Sequence, residues 1–260
     1  MVPARLSDRE VAEAAARAAG AVVREAFGRP VAVESKTSPT DPVTVVDRAA
    51  EAAATAVLER ERPEDARLGE ETGGAEGTSG RRWTIDALDG TLNFVSGVPL
   101  FCCAVGLEDE AGGVASAVLD PSRDELFSGA RGEGAWLDGT PLQLGEGRSL
   151  REVVVCTYVQ PERPALLDGV RAIAAAGAQV RSFGTGSLEL AWVAAGRLGA
   201  WVQVRPARWD WLPGSVLVEQ AGGTAAALEG DPGWHIAAAG ELHAELVRLV
   251  AAEWHRDQAG

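Results

Sequence analysis

The stretch from Trp83 to Phe94 constrains this chain more than any other, because it places two carboxylates directly after a short apolar segment. Trp83 to Ile85 predicts a buried strand, and Asp86 and Asp89 follow it three residues apart. In a turn that leaves a strand, this spacing lets both side chains converge on one point. Two bare carboxylates that close repel each other and raise the pKa of one of them, unless a cation lies between them. Oxygen ligands of this kind favour a hard cation such as Mg²⁺.

Gly90 and Thr91 come next, and they are predicted to open a short helix. The free N–H groups and the positive dipole end of a helix N-terminus suit an anion, most simply a phosphate. Metal carboxylates beside such a cradle are typical of a phosphate-ester site. The alternative interpretation is an Asp-rich turn with Asp89 as the N-cap of the helix, which a single short motif does not exclude.

Composition narrows the class of protein. The 260 residues suffice for one large domain or two small ones, and the net charge of −14 opposes nucleic acid and anionic membranes as partners. Cys102, Cys103 and Cys156 have no metal-ligand or redox spacing, so we expect three buried thiols in a reducing cytoplasm. No apolar run reaches the length of a membrane span. Asp8 and Glu10 argue against a secretory signal.

The pattern along the chain predicts two halves, residues 1–148 and 149–260. The first is an α+β half, with helices over Ser7–Phe27 and Val43–Arg60, a capping box from Ser7 to Glu10 and a short strand at 31–33. A flexible surface loop is predicted over 73–80, and an antiparallel meander over 101–107, 113–119, 125–130 and 134–137. The second is an α/β half, in which strands at 152–159, 180–183, 200–204, 223–227 and 235–238 alternate with helices at 161–176, 187–195, 211–220 and 241–254.

Four separated stretches together resemble one family. They are Asp41–Asp47 (Asp-Pro-Val-Thr-Val-Val-Asp), Gly69–Thr72 (Gly-Glu-Glu-Thr), the stretch 83–94, and Trp209-Asp210 followed by Glu-Gln-Ala-Gly-Gly at 219–223. In this order they are similar to the motifs of the inositol monophosphatase family, which are metal-dependent, lithium-sensitive phosphatases. The resemblance runs from about Lys36 to the last helix and includes Arg181–Ser187.

The resemblance implies a layered αβαβα sandwich, the inositol-monophosphatase-like sugar phosphatase fold, with the active site between the two halves. It also implies two Mg²⁺ ions and leaves a third, weaker ion at Glu70 open. The first ion would be bound by Glu70, Asp86 and the carbonyl of Leu88. The second would be bound by Asp86, Asp89 and Asp210.

The same resemblance implies the catalytic residues Thr91, Asp47 and Glu70. Thr91, oriented by Asp47, would position and deprotonate the attacking water. Taken singly, without the family, Asp41 is better interpreted as a helix cap and Asp47 as a solvated helix residue.

Phosphate and substrate contacts complete what the resemblance implies. The phosphate would lie against the N–H groups of Gly90 and Thr91, and Gly186, Ser187 and Gln203 would contact the phosphate or the rest of the substrate. Gln203 stands where inositol-directed members often carry a glutamate.

Other departures from the family pattern fall in the same region. Ala87 replaces the proline that the family usually has between the two metal aspartates. Gly199 stands where an aspartate is common, and Trp211-Leu212 stands where the family has smaller residues. Together with Gln203, Gly199 and Trp211-Leu212 suggest that the leaving-group pocket is not tuned for inositol. Arg205 and Arg208 are further candidates to approach an anionic or hydroxyl-rich leaving group. Trp201 and Trp209 are better interpreted as core aromatics than as substrate platforms.

We therefore expect a cytoplasmic Mg²⁺-dependent phosphomonoesterase acting on a small polyol, sugar or amino-alcohol phosphate. Histidinol phosphate, inositol phosphate, an adenosine bisphosphate and a pathway-specific sugar phosphate all stay open as substrates. The rival from another class is a non-catalytic relative that acts as a regulatory binding partner. The expected partner is a small phosphorylated metabolite, with no nucleic acid and no membrane, and a homodimer is expected from the family alone.

Overall fold

The structure, a computed structural model, describes residues 5–35, 42–145, 148–158, 164–228 and 233–257, so Lys36 and Asp41 lie outside the described residues.

The first two helices begin at residues that local capping determines. Helix α1 (Asp8–Ala26) begins after Ser7, and the predicted capping box is confirmed, since the Ser7 N–H donates to the Glu10 carboxylate at 2.7 Å. Helix α2 (Val45–Glu61) begins after Thr44 with a second capping box, in which the Thr44 N–H donates to Asp47 at 2.8 Å.

An eight-stranded sheet carries the first half of the chain. Its strands are β3 (Ala66–Gly69), β4 (Gly73–Ala75), β5 (Arg82–Asp89), β6 (Cys102–Asp109), β7 (Gly112–Asp120), β8 (Glu125–Ala130), β9 (Gly134–Leu137) and β10 (Thr140–Leu142). Their order is β10-β9-β8-β7-β6-β5-β3-β4, antiparallel except for the β3–β5 pair. The predicted meander is confirmed, but the predicted loop at 73–80 begins with β4, and β10 was not predicted.

Two smaller elements complete this half. The strand predicted at 31–33 lies two residues later, as β1 (Val33–Ser35), and pairs with β2 (Pro42–Thr44). Helix α3 (Thr91–Val95) follows β5 and confirms the short helix predicted at Gly90 and Thr91.

The second half alternates strands and helices as predicted, around a mixed five-stranded sheet. Its elements are β11 (Val154–Cys156), α4 (Pro164–Ala175), β12 (Gln179–Arg181), α5 (Gly186–Ala194), β13 (Ala200–Val204), α6 (Arg208–Gln220), β14 (Thr224–Ala227), β15 (Trp234–Ala238) and α7 (Gly240–Asp257). The sheet order is β12-β11-β13-β15-β14, in which β11 runs parallel to both β12 and β13 and the other two pairs are antiparallel. The predicted strand at 152–159 is shorter, because residues 150–152 form a 3₁₀ turn, and Val159 lies outside the described residues.

The elements stack in five layers, which confirms the expected αβαβα sandwich. Helices α1 and α2 cover one face of the large sheet, α5 and α6 lie between the two sheets, and α4 and α7 cover the outer face of the small sheet. Three apolar cores fill the spaces between the layers. The cysteines Cys102, Cys103 and Cys156 are free and buried, as expected. Across the described ranges, each helix is too short or too polar to cross a membrane.

Candidate active site

A bulge in β5 brings Asp86 and Asp89 to the same side of the sheet. Residues three apart in a regular strand point to opposite faces. Here Asp86 pairs with Ala104 and Asp89 with Cys102, so β5 carries one residue more than β6 over this interval. The extra residue restores a common direction for the two carboxylates. They therefore converge as predicted, but within the end of a strand rather than in a turn.

Gly90 makes the junction from β5 to α3 possible. It is the N-cap of α3 in the left-handed conformation, with φ of 94°, so the alternative in which Asp89 caps the helix is wrong. A Cβ at Gly90 would lie 3.0 Å from the carbonyl oxygen of Leu100 and 3.2 Å from that of Gly184. Both conformation and space therefore require glycine here.

Thr91 and Asp47 form the hydrogen-bonded pair that the family resemblance implies. The Thr91 hydroxyl lies 2.8 Å from Asp47 Oδ1 and 3.0 Å from the carbonyl oxygen of Leu88, and its single proton serves one acceptor at a time. Asp47 Oδ2 accepts from the backbone and hydroxyl of Thr44 at 2.8 and 2.6 Å. Asp47 is 3% exposed, so the interpretation as a solvated helix residue is wrong. Its carboxylate caps α2 and orients Thr91 at once.

Asp210 joins the two aspartates from the middle helical layer. It lies in the first turn of α6, where a carboxylate suits the helix dipole. Carboxylate oxygens of Asp86, Asp89 and Asp210 lie within 4.8 Å of one another. Glu70, one residue beyond β3, lines the same cavity but is not part of this tightest group.

The electrostatics of this cluster favour a cation. Burial raises the pKa of Asp86 well above its usual range, and the negative charges of Glu70 and Asp89 raise it further. Burial also raises the pKa of Asp89 to about 6, although hydrogen bonds from Ser187 and Thr185 oppose the shift. The metal-free site therefore holds its carboxylates against their mutual repulsion. Oxygen donors in such an arrangement suit Mg²⁺.

The segment before α5 holds Asp89 in place. The Ser187 N–H donates to Asp89 Oδ2 at 2.7 Å, and the Thr185 hydroxyl donates to the same oxygen at 3.1 Å. Ser187 is fully buried, with its hydroxyl 3.5 Å from the carbonyl oxygens of Trp209 and Asp210. Gly186 lines the cavity.

The cavity above the cluster has a volume of about 420 Å³ and extends toward the small sheet. Gln203 and Arg205 line its far side, and Tyr158 is a lining residue that sequence reasoning missed. Trp201 is 1% exposed, which confirms it as a core aromatic, although it also borders the cavity. Arg208 instead donates to Glu108, with Nε 3.0 Å from Oε2.

Comparison with known proteins agrees with this geometry. A model of the inositol monophosphatase family matches residues 6–258. The chain belongs to the inositol monophosphatase family. The Nus factor SuhB of Pseudomonas aeruginosa is 37% identical over 225 residues, 82% of each chain. The inositol-1-monophosphatase of Rhizobium meliloti is 36% identical over 197 residues, 74% of each chain.

Solved structures give the same result. The extragenic suppressor protein suhB from Bartonella henselae has a TM-score of 0.86 and 31% identity, covering 93% of this chain and 97% of that one. The chain therefore has the fold of the inositol monophosphatase family. Its membership of that family supports phosphatase chemistry and metal binding at the acidic cluster.

Polar groups that the sequence did not predict hold the segment before α5 in place. The buried Glu189 carboxylate accepts from the N–H groups of Phe183 and Gly184 at 2.8 and 3.1 Å and from Trp201 Nε1 at 3.0 Å. The Asn93 amide donates to the carbonyl oxygen of Phe183 at 2.7 Å. A glutamate in the otherwise apolar run of α5 was the available signal for a buried, hydrogen-bonded acid.

Proposed function

We propose that this member of the inositol monophosphatase family is a Mg²⁺-dependent phosphomonoesterase acting on a small polyol, sugar or amino-alcohol phosphate. The observation that carries the proposal is that the Asp86, Asp89 and Asp210 cluster shares one cavity with Thr91, whose hydroxyl is hydrogen-bonded to Asp47 behind it. Phosphate-ester hydrolysis needs positive charge near the phosphate and an oriented water, and these two groups can serve both needs.

The donor set fits Mg²⁺. Three clustered carboxylates offer hard oxygens, and the raised pKa values of Asp86 and Asp89 mark a site that a cation would stabilise. We assign a first ion to Glu70, Asp86 and the Leu88 carbonyl, and a second to Asp86, Asp89 and Asp210. When bound, the ions supply positive charge that offsets charge on the phosphate oxygens.

The protein groups beside the cluster have separate roles in the proposal. Thr91, held by Asp47, orients the attacking water and passes a proton toward the Asp47 carboxylate. The N–H groups of Gly90 and Thr91, at the start of α3, contact the phosphate. Gly186 borders the leaving group, and Ser187 acts by holding Asp89.

The leaving group is proposed to differ from inositol. Gln203 lines the cavity and is 5% exposed, and its Oε1 accepts from the Val204 N–H at 3.1 Å. A neutral amide there lacks the charge-assisted acceptance that a glutamate would offer to vicinal hydroxyls. A cytoplasmic location and a homodimer remain parts of the proposal that rest on composition and on the family.

Phosphate release across a panel of monoesters tests the proposal. The panel contains inositol 1-phosphate, histidinol phosphate, an adenosine bisphosphate and several sugar phosphates, each with Mg²⁺. We expect turnover of at least one ester and poor turnover of inositol 1-phosphate. Absence of turnover for every ester, with Mg²⁺ bound, would contradict the enzymatic proposal.

A second candidate function comes from the relatives named Nus factor SuhB, which include the Escherichia coli protein at 33% identity over 248 residues. We propose, as the alternative, a regulatory role of that kind. Expression of wild type and of Asp89→Asn in an E. coli strain that lacks its Nus factor SuhB separates the two. Equal rescue by both proteins favours the regulatory role, and loss of rescue only with Asp89→Asn favours a catalytic one.

A further inference from the structure

Glu51 is a buried carboxylate that the proposed mechanism does not use. It lies on α2, one helical turn after Asp47, and it is fully buried. Residues four apart on a helix lie on the same face, so Glu51 and Asp47 project from the same side of α2. Asp47 reaches Thr91. Glu51 reaches the segment that carries Glu70.

The contacts of Glu51 bracket Glu70. Glu51 Oε2 accepts from the Glu71 N–H at 2.8 Å, and Oε1 accepts from the Thr72 N–H at 2.9 Å and from the Thr72 hydroxyl. On the other side of Glu70, a Cβ at Gly69 would lie 2.1 Å from Glu51 Oε1. Only a residue without a side chain lets the carboxylate approach the backbone this closely.

Hydrogen bonds hold the segment 70–72 from two sides, from β5 and from α2. The Glu70 N–H donates to the carbonyl oxygen of Ile85 at 3.2 Å, which ties the segment to β5 one residue before Asp86. Glu51 holds the next two residues from the side of α2. Three donors compensate a carboxylate that burial would otherwise destabilise, and hydrogen bonds to a charged group are the stronger kind.

We propose that Glu51 is a positioning residue that presents the Glu70 carboxylate to the metal cluster. Helix α2 would then set both sides of the site, Thr91 through Asp47 and Glu70 through Glu51. The inference rests on the proposed function, because it takes Glu70 to be a metal ligand. A purely structural Glu51 would stabilise the fold without affecting metal binding.

The test compares Glu51→Gln with a matched control, Asp65→Asn. Asp65 is also a buried carboxylate of the first half, 4% exposed, and it accepts from Trp83 Nε1 at 2.8 Å. Hydrogen exchange of the metal-free proteins reports the amides of residues 71 and 72. Calorimetric titration with Mg²⁺ alone reports metal affinity without substrate.

We expect Glu51→Gln to speed exchange at residues 71 and 72 by about tenfold or more, because an amide offers one acceptor oxygen where the carboxylate offers two. We expect Mg²⁺ affinity to fall by about tenfold, as for other losses of an outer partner of a metal ligand. Asp65→Asn should lower the free energy of unfolding of the whole protein. It should leave the exchange rates at residues 71 and 72 and the Mg²⁺ affinity near those of wild type. If Glu51→Gln does not fold, Thr72→Val removes one donor and should give smaller shifts in the same directions.

The outcomes separate the two claims. A folded Glu51→Gln, or Thr72→Val in its place, with wild-type Mg²⁺ affinity overturns the role of Glu51 and leaves the proposed function standing. Equal effects of Asp65→Asn and Glu51→Gln on the exchange at residues 71 and 72 and on the Mg²⁺ affinity also overturn the role of Glu51, because they indicate general destabilisation. A wild-type protein that binds no Mg²⁺ overturns the proposed function instead.

Discussion

The Asp89 carboxylate has two roles, because it accepts hydrogen bonds from one set of neighbours and supplies negative charge beside another. One oxygen, Oδ2, accepts from Ser187 and Thr185, which hold the side chain in place. The group also faces Asp86 and Asp210, whose charges favour a cation between them. An asparagine can satisfy the first role through its carbonyl oxygen but not the second.

We therefore predict that Asp89→Asn folds and loses kcat by at least ~10²-fold, as is typical when one preorganised electrostatic group is removed. In EDTA at pH 8 the variant should melt above wild type. Burial raises the pKa of Asp89 from 3.8 to about 6, so the stability that the protonated group retains is lost as pH rises between these values, and at pH 8 the ionised carboxylate destabilises the metal-free fold in full. Steady-state kinetics at saturating Mg²⁺ and thermal unfolding measure the two effects. A kcat near that of wild type would remove Asp89 from the site.

Gln203 provides the residue-scale prediction for specificity. Gln203→Glu should shift kcat/KM toward inositol 1-phosphate by roughly 1–2 kcal/mol, the difference between neutral and charge-assisted hydrogen bonds. Kinetics with inositol 1-phosphate, histidinol phosphate and an adenosine phosphate in both proteins measure the shift. Unchanged ratios, or a wild type that already prefers inositol 1-phosphate, would mean that position 203 does not set specificity.

At the scale of elements, the site is built where the end of β5 passes into α3. The bulge aligns Asp86 with Asp89, and Gly90 turns the chain so that Thr91 starts the helix. Neither feature belongs to the strand or the helix alone. Their geometry depends on the contacts of Gly90 with the segments at Leu100 and Gly184.

Gly90→Ala and Gly97→Ala form a matched pair that tests this junction. Both glycines have positive φ, 94° and 74°, but a Cβ at Gly97 would meet no atom within 4 Å. Gly97→Ala should cost about 1–2 kcal/mol of unfolding free energy from the left-handed conformation. Gly90→Ala should cost a further ~1–3 kcal/mol from overpacking and should lower kcat. Denaturant unfolding and kinetics measure both, and equal losses in the two variants would argue against a tight junction.

The segment held by Glu189 gives a prediction about pH. Burial raises the pKa of Glu189 from its ordinary value of 4.5 to about 8, against hydrogen bonds that favour the charged form. The folded state therefore keeps a proton that the unfolded chain releases. Stability from this group is present below pH 4.5 and is lost as pH rises to about 8.

Glu189→Gln should remove this loss. Between pH 5 and 8, the unfolding free energy of wild type should fall relative to that of the variant by at most ~1.4 kcal/mol per pH unit. Both proteins are measured in EDTA by denaturant unfolding, so that the titration of their shared aspartates largely cancels. A pH-independent difference between them would contradict a raised pKa at Glu189.

At the scale of the whole molecule, the candidate site draws on several layers of the sandwich. Asp86, Asp89 and Thr91 come from the large sheet and α3, Asp47 from the outer helices, and Asp210 from the middle helical layer. We propose that residues 1–148 and 149–260 act as one functional unit for this reason. These side chains come together only when the layers of the sandwich are assembled.

The sequence predicted those parts of the molecule that local chemistry determines. The capping box at Ser7, strands 125–130 and 134–137 and the alternating second half follow from periodicity and turn residues. Strand β4, Gly-Gly-Ala, has no strand propensity of its own and forms by pairing with β3. The bulge at Asp86 and the bond from Ser187 to Asp89 arise from pairing and tertiary packing, so no local pattern could predict them.

The central claim is that the acidic cluster catalyses phosphate-ester hydrolysis only with a divalent cation bound. The most direct measurement is phosphate release by wild type after metal removal with EDTA, followed by titration with Mg²⁺ on the best ester of the panel. We expect no turnover in metal-free protein, full recovery with Mg²⁺, and inhibition by Li⁺ as the family resemblance implies. Full turnover by the metal-free protein would contradict metal-dependent catalysis at the acidic cluster.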